Sequence, residues 1–369
     1  MEQRTRVVLA EVITTAAEKI LIEQRMQELH QLVETYGGLT VVEIVQQRSV
    51  PDYKTYIGKG KLEETKDLMQ RIGAKILILG NILKPSQIYN VSEYLRKDGL
   101  QARDRVDLIL KIFDRHATST EARLQIELAA IKHMGPRIFG MGMELSRQWG
   151  GKGNVRGQGE TNTEVMRRHL FKRKGQIESK LKQYEQVRQV HREARIKRNL
   201  PTIGLVGYTN AGKSSLMNAL TNKGVLVEDK LFATLGTDVG QLYFPSDTGK
   251  WETLLINDTI GFIRDLPPSL IQAFRSTLED SVEADILLHV IDASDPLFED
   301  KIQVVDTILD EIGATQPRIL VFNKMDCIAS KQRSYLEALF PAALFISSQT
   351  GEGIEHVKKF LQAKIALTQ

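Results

Sequence analysis

Cysteine occurs once in the 369 residues, at Cys327. No disulfide can form within one chain, so a disulfide scaffold is excluded and a reducing compartment is expected. Long hydrophobic runs are missing too, and none approaches the ~20 apolar residues of a membrane-spanning helix. The opening MEQRTRVVLAEVITT carries charge within its short apolar stretch and lacks the core of a signal peptide. A cytoplasmic monomer with no membrane span is the expectation. Histidine and cysteine never fall at metal-ligand spacing. His116, His133, His169 and His191 are scattered and read as surface or packing residues. There is no internal repeat.

What is present is ordinary for a globular protein, 42% hydrophobic and 26% charged, and long enough for two or three domains. The net charge of +4 is unevenly divided. Residues 1–199 hold 36 Lys and Arg against 24 Asp and Glu, whereas residues 200–369 hold 14 against 22. Residues 132–198 alone carry 17 basic against 6 acidic side chains. Such asymmetry points to a polyanionic partner for that segment or to long helices solvating themselves.

Segments 6–13, 39–48 and 74–80 read as strands, each followed by a helical stretch, near 16–35, 59–72 and 84–97. That alternation predicts a small α/β domain with a largely parallel sheet over residues 1–115. Two helix candidates follow. SerThrGluAla at 119–122 opens LQIELAAIKHM, and residues 159–199 form a basic rod on which Ile177, Leu181, Tyr184 and Val187 make one apolar stripe. Joined by the stretch 149–160, WGGKGNVRGQGE, they predict a long antiparallel hairpin over 116–199. This glycine-rich stretch reads either as a linker or as an RNA-facing tip. Asn199-Leu200-Pro201 then breaks the helix. A second strand-helix alternation fills 200–369, with strands near 240–245, 251–257, 285–292, 317–323 and 342–347.

The chemistry concentrates there. Gly207-Tyr208-Thr209-Asn210-Ala211-Gly212-Lys213-Ser214, with Ser215 next, is a complete GxxxxGK[ST] loop after an apolar strand and before a helix. Backbone amides of such a loop and the helix N-terminus cradle phosphates. Lys213 is expected on the β- and γ-phosphates and Ser214 on Mg²⁺. Asp258-Thr259-Ile260-Gly261 ends a strand, placing Asp258 to hold Mg²⁺ through water and the Gly261 amide to sense the γ-phosphate. Asn323-Lys324-Met325-Asp326 ends another. The Asp326 carboxylate can accept guanine N1–H and N2–H, which adenine does not offer. Ser347 and Ser348 follow a further strand and can present a backbone N–H to guanine O6. In LeuPheAlaThrLeu at 231–235, Thr234 is the candidate switch residue for Mg²⁺ and the γ-phosphate, with Thr237 the alternative.

Together these elements predict a GTP- and GDP-binding P-loop GTPase domain. Ras-like enzymes carry a water-orienting glutamine where this chain has Phe262, so unaided hydrolysis is expected to be slow and accelerated by a partner. Asn210 occupies the position at which potassium-stimulated GTPases hold K⁺; bracing of the loop is its other reading. Gly58-Lys59-Gly60-Lys61 is either a plain helix start or a phosphate contact.

GYTNAGKS, LFATL, DTIGFIRDLP, TYIGKGKLEE, DRVDLILKIFDRHATSTEARLQIELA and GGKGNVRGQGETNTEVMRR together resemble the HflX family of GTPases over nearly the full length. The resemblance implies binding to the large ribosomal subunit and use of GTP in splitting or rescuing ribosomes, notably under stress. A GTP-gated binding or assembly factor on that subunit is the alternative. The chain departs from the family pattern at Gln158, Asn162 and Thr163, at Gly236 to Gly240, and at Ser348, where alanine is usual.

Overall fold

The computed structural model describes residues 4–117, 119–133, 162–197, 200–221, 238–245, 251–259, 261–266, 270 and 284–366. The stretch 149–160, Thr234, Thr237 and Gly236 lie outside them. The chain divides into two compact units, and the long helix Asn162–Lys197 contributes to the first as far as Lys182 and to the second from Gln183. Among the described residues no helix is long and apolar enough to cross a membrane.

The first unit is built on β1 (Thr5–Ile13), α1 (Ala16–Ile20), α2 (Ile22–Tyr36), β2 (Gly38–Gln47), α3 (Lys59–Ile72), β3 (Ile76–Leu79), α4 (Pro85–Arg96), β4 (Gln101–Asp104) and α5 (Arg105–His116). The sheet order is β2-β1-β3-β4 and every pairing is parallel. Alternate residues of a strand face opposite sides. Val8, Ala10, Leu77 and Leu79 meet Leu62 and Met69 of α3 and Ile88, Val91 and Leu95 of α4. Their neighbours Val7, Leu9, Ile76 and Ile78 are buried as well, as a parallel sheet covered on both faces requires. Pro85 opens α4, where a missing N–H costs nothing, and the Lys84 amide donates to Gln87 Oε1 at 3.0 Å. The start of α3 matches the expected Gly58–Lys61 turn, and the Gly58 N–H is taken by Gln46 Oε1 at 2.8 Å.

Three expectations need correction in this half. The helix near 16–35 is two helices, interrupted at Leu21. Strand β4 and helix α5 were not anticipated. His133, read as a packing or surface residue, instead joins a buried polar cluster. Its Nε2 lies 3.2 Å from Asp104 Oδ2 and 3.7 Å from Asp107 Oδ1. Asp104 Oδ1 also caps α5 by accepting the Asp107 N–H at 2.8 Å.

Helix α6 (120–133) packs on α7 (Asn162–Lys197) through Leu124, Leu128 and Ile177, with Ile131 and Leu181 beside them. Arg173 pairs bidentately with Glu127, both contacts at 2.6 Å. The apolar stripe on α7 is covered only in part. Ile177 is buried, but Tyr184 and Val187 are exposed.

The second unit contains β5 (Thr202–Gly207), α8 (Lys213–Thr221), β6 (Asp238–Pro245), β7 (Trp251–Asp258), β8 (Ile286–Asp292), α9 (Phe298–Glu311), β9 (Arg318–Asn323), α10 (Ser330–Leu339), β10 (Leu344–Phe345) and α11 (Ile354–Ala366). Its sheet runs β10-β9-β8-β5-β7-β6, parallel throughout except for antiparallel β6–β7. Leu216, Met217 and Leu220 of α8 and Val357 and Leu361 of α11 pack on Leu205, Leu254, Ile256 and Val290. The two-residue β10 is shorter than the six-residue strand expected at 342–347. Beyond Phe345 the chain curls: the Ile346 amide still bonds Phe322 O, but the Ser347 amide bonds Glu352 O. The mixed α/β architecture, an N-terminal α/β domain followed by a P-loop GTPase domain, is as the sequence predicts.

Candidate functional site

The carboxyl ends of β5, β7, β9 and β10 converge on one edge of the second sheet, where open α/β sheets place ligands. The chain leaves β5 at Gly207, whose φ of +150° belongs to glycine, and a Cβ there would stand 2.3 Å from Val290 O. The loop then turns through Asn210 at φ 64°, a left-handed conformation that asparagine tolerates, and enters α8 at Lys213. Lys213 Nζ donates to the carbonyls of Gly207 (3.1 Å) and Tyr208 (3.0 Å). Burial pushes the Lys213 ammonium down to about 8, partly opposed by the Asp258 carboxylate. A buried cation at the start of a helix, after a glycine-rich turn, is a receptor for an anion.

Ser214 Oγ donates to Asp258 Oδ2 at 2.6 Å. A hydroxyl and a carboxylate side by side are hard oxygen donors, the set that Mg²⁺ takes. Thr259 is buried and its hydroxyl donates to Leu205 O at 2.6 Å, fixing the end of β7 against β5. Gly261 follows closely on the phosphate loop. A Cβ on it would lie 2.8 Å from Thr209 Cα and 3.1 Å from Lys213 Nζ. Its lack of a side chain is what allows the approach. Phe262, in place of the water-orienting glutamine, is 1% exposed and points away from solvent.

On the other side, buried Asn323 ties two loops together. Its Nδ2 donates to Ala211 O at 3.0 Å, and its Oδ1 accepts the Ser348 amide at 2.9 Å. Lys324 turns the chain at φ 63° and its ammonium pairs with Asp292 at 2.7 Å. Asp326 is exposed, and a hydrogen bond from the Ser347 hydroxyl is the main cause holding its carboxyl below the usual carboxylate range. An ionised, open carboxylate is what a base edge with two N–H donors needs.

Thus Gly207 to Ser214 form one loop, Ser214 meets Asp258, Gly261 meets Thr209 and Lys213, and Asn323 connects Ala211 to Ser348. Ser215 lies in the first turn of α8. Thr234 lies outside the described residues. The sequence reading missed the side chain of Tyr208 as a contact to the segment after Gly261: its hydroxyl accepts the Arg264 N–H at 2.8 Å. No sequence pattern links these two residues.

Residues 23–114 match the family profile described as "GTP-binding GTPase N-terminal", residues 116–195 "GTP-binding GTPase Middle Region" and residues 202–324 "50S ribosome-binding GTPase". The chain is 43% identical to the GTPase HflX of Caldanaerobacter subterraneus subsp. tengcongensis over 326 residues, 88% of this chain and 73% of that one. It is 38% identical to the GTPase HflX of Escherichia coli over 344 residues, 92% and 79% of the two chains. A crystal structure of SsGBP in complex with GDP superposes with a TM-score of 0.53 at 26% identity, covering 99% of this chain and 98% of that one. With profile matches to all three segments and identities of this size over most of the length, the chain belongs to the HflX family of GTPases.

Proposed function

We propose that this GTPase acts on ribosomes: it binds the large ribosomal subunit through its basic helical region and splits or rescues ribosomes, notably under stress. The observation that carries the reading is the combination of a GTPase site with α7, on which Lys172, Lys180 and Lys182 are exposed to solvent. The family profile over residues 202–324 is described as that of a 50S ribosome-binding GTPase, and this supports the choice of subunit. The working parts are residues 1–115, a helical hairpin over 116–199 with the glycine-rich loop 149–160 at its tip, and residues 200–369.

Within the site, the loop from Gly207 to Ser215 and the Lys213 ammonium hold the phosphates. Asn323, Lys324, Asp326, Ser347 and Ser348 receive guanine. Ser214, Thr234 and, through water, Asp258 hold Mg²⁺, which when bound neutralises charge on the β- and γ-phosphates. Thr234 and the Gly261 amide read the γ-phosphate. Asn210 would hold K⁺, which would supply the positive charge that an arginine finger supplies elsewhere. Phe262 supplies no water-orienting group, so intrinsic hydrolysis is slow and a partner accelerates it.

Sedimentation of the purified protein with whole ribosomes and separated subunits tests the proposal under GTP, GDP and a non-hydrolysable GTP analogue. Co-sedimentation with the large subunit in the GTP and analogue states, with conversion of whole ribosomes to subunits, is expected. Binding to the subunit without any dissociation would favour the GTP-gated binding or assembly factor instead. Absence of co-sedimentation in every nucleotide state would overturn ribosome binding altogether.

A further inference from the structure

Phosphate loops work through backbone amides, so the side chain of Tyr208 has no part in the chemistry assigned to the loop. It is nevertheless 5% exposed and engaged on two sides. Its hydroxyl accepts the Arg264 N–H at 2.8 Å. The Lys301 ammonium stands 4.6 Å from the ring centroid, a cation–π contact, and is paired with Asp295. The backbone on either side of Tyr208 meets the same segment. The Phe262 N–H donates to Gly207 O at 3.1 Å and the Thr209 N–H donates to Phe262 O at 2.7 Å, a parallel bridge. The Arg264 guanidinium reaches Asp300, 3.8 Å away on the same helix, α9, as Lys301. Residues 262–264 are therefore held at three points, two on the backbone and one on the phenol.

We propose that Tyr208 is a positioning residue for GTP hydrolysis, fixing the register of residues 262–264, and through them Gly261, against the phosphate loop. The proposal rests on the reading that the Gly261 amide senses the γ-phosphate. The physical reason for such a device lies in Phe262. With a buried phenyl where a water-orienting amide would stand, hydrolysis depends on how accurately the backbone here is held, because misplacement of transition-state contacts lowers kcat. Lys301 holds the ring from behind, so that the phenol stays aimed at Arg264.

Tyr208→Phe in the full-length chain removes the acceptor and keeps the ring. The hydrogen bond is expected to appear in the turnover step alone: kcat falls by about fivefold, while KM for GTP and affinity for GDP stay within about twofold. Amide hydrogen exchange rises at residues 262–264 and not at Lys213 or Ser214. Lys301→Met, which unloads the ring from its far side, lowers kcat in the same direction. An unchanged kcat in Tyr208→Phe overturns the proposal. So does a joint loss of kcat, GDP affinity and thermal stability, which marks a residue that only supports the fold. Gly261→Ala tests the underlying reading separately. If that variant keeps the wild-type preference for GTP over GDP, the γ-phosphate role of Gly261 is wrong, whatever Tyr208→Phe does to kcat.

Discussion

His289 sits in the middle of β8, 1% exposed, and its Nδ1 makes no hydrogen bond among the described residues; a carboxylate oxygen of Asp306 is 3.9 Å away and serves Arg318 at 3.0 Å. Burial, with the nearby cations Arg318 and Lys213, pushes the imidazole down to about 3 from 6.5. Below pH 6.5 the unfolded chain takes up a proton that the native chain refuses. Stability therefore falls as pH drops from 6.5 toward 3, with a limiting slope of about 1.4 kcal/mol per pH unit. Urea midpoints taken between about pH 7 and pH 5 should drop faster for the native protein than for His289→Leu. Identical pH dependence of the two would show that His289 is not the titrating group. At this scale the candidate site was legible because the residues proposed to contact phosphate and guanine lie close together in sequence, as in Gly207 to Ser214 and Asn323 to Asp326. The pairs Tyr208–Arg264 and His133–Asp104 were not legible. Their partners stand 56 and 29 residues apart, and no periodicity connects them.

At the scale of single elements, strands and helices with a clear alternation or stripe were readable, and those without were not. Helix α5 buries Val106, Leu108, Ile109, Leu110, Ile112 and Phe113, an apolar run covered nearly all round, so neither period shows. Strand β10 reads as longer than it is, because the residues after Phe345 have strand-like composition while the Ser347 and Ser348 amides are diverted to Glu352 O and Asn323 Oδ1. The phosphate loop is the opposite case, since its backbone follows from its glycines. Only one of its turns uses a non-glycine residue, and that is Asn210 at φ 64°. Alanine would sit poorly there, so the side chain and the conformation have to be separated by experiment. If Asn210 holds K⁺ beside the phosphates, GTP hydrolysis should run several-fold faster in KCl than in NaCl at equal ionic strength, and Asn210→Asp or Asn210→Gly should lose that ratio while still binding GDP. Equal rates of the native protein in the two salts would leave Asn210 as a brace for the loop.

Over the whole molecule, charge and chemistry are divided along the chain. Net positive charge lies in residues 1–199, and net negative charge lies with the nucleotide motifs in residues 200–369. On the proposed reading, the basic segment supplies the electrostatic part of ribosome binding, because a net-acidic domain is on balance repelled by RNA phosphates. Residues 132–198 concentrate it, and Lys172, Lys180 and Lys182 are exposed on α7. Each lysine that neutralises a phosphate releases a counterion, so affinity falls with salt at a slope set by the number of such contacts. If the proposed ribosome contact is made there, replacing Lys172, Lys180 and Lys182 together by glutamine should lower that slope by about 2 to 3 and weaken ribosome binding most at low salt. GDP and GTP affinity, proposed to rest on Lys213 and the loops of residues 200–369, should not change. A slope equal to that of the native protein would place the RNA contacts elsewhere in residues 1–199. A parallel loss of nucleotide affinity would mean that the two functions are not divided in this way.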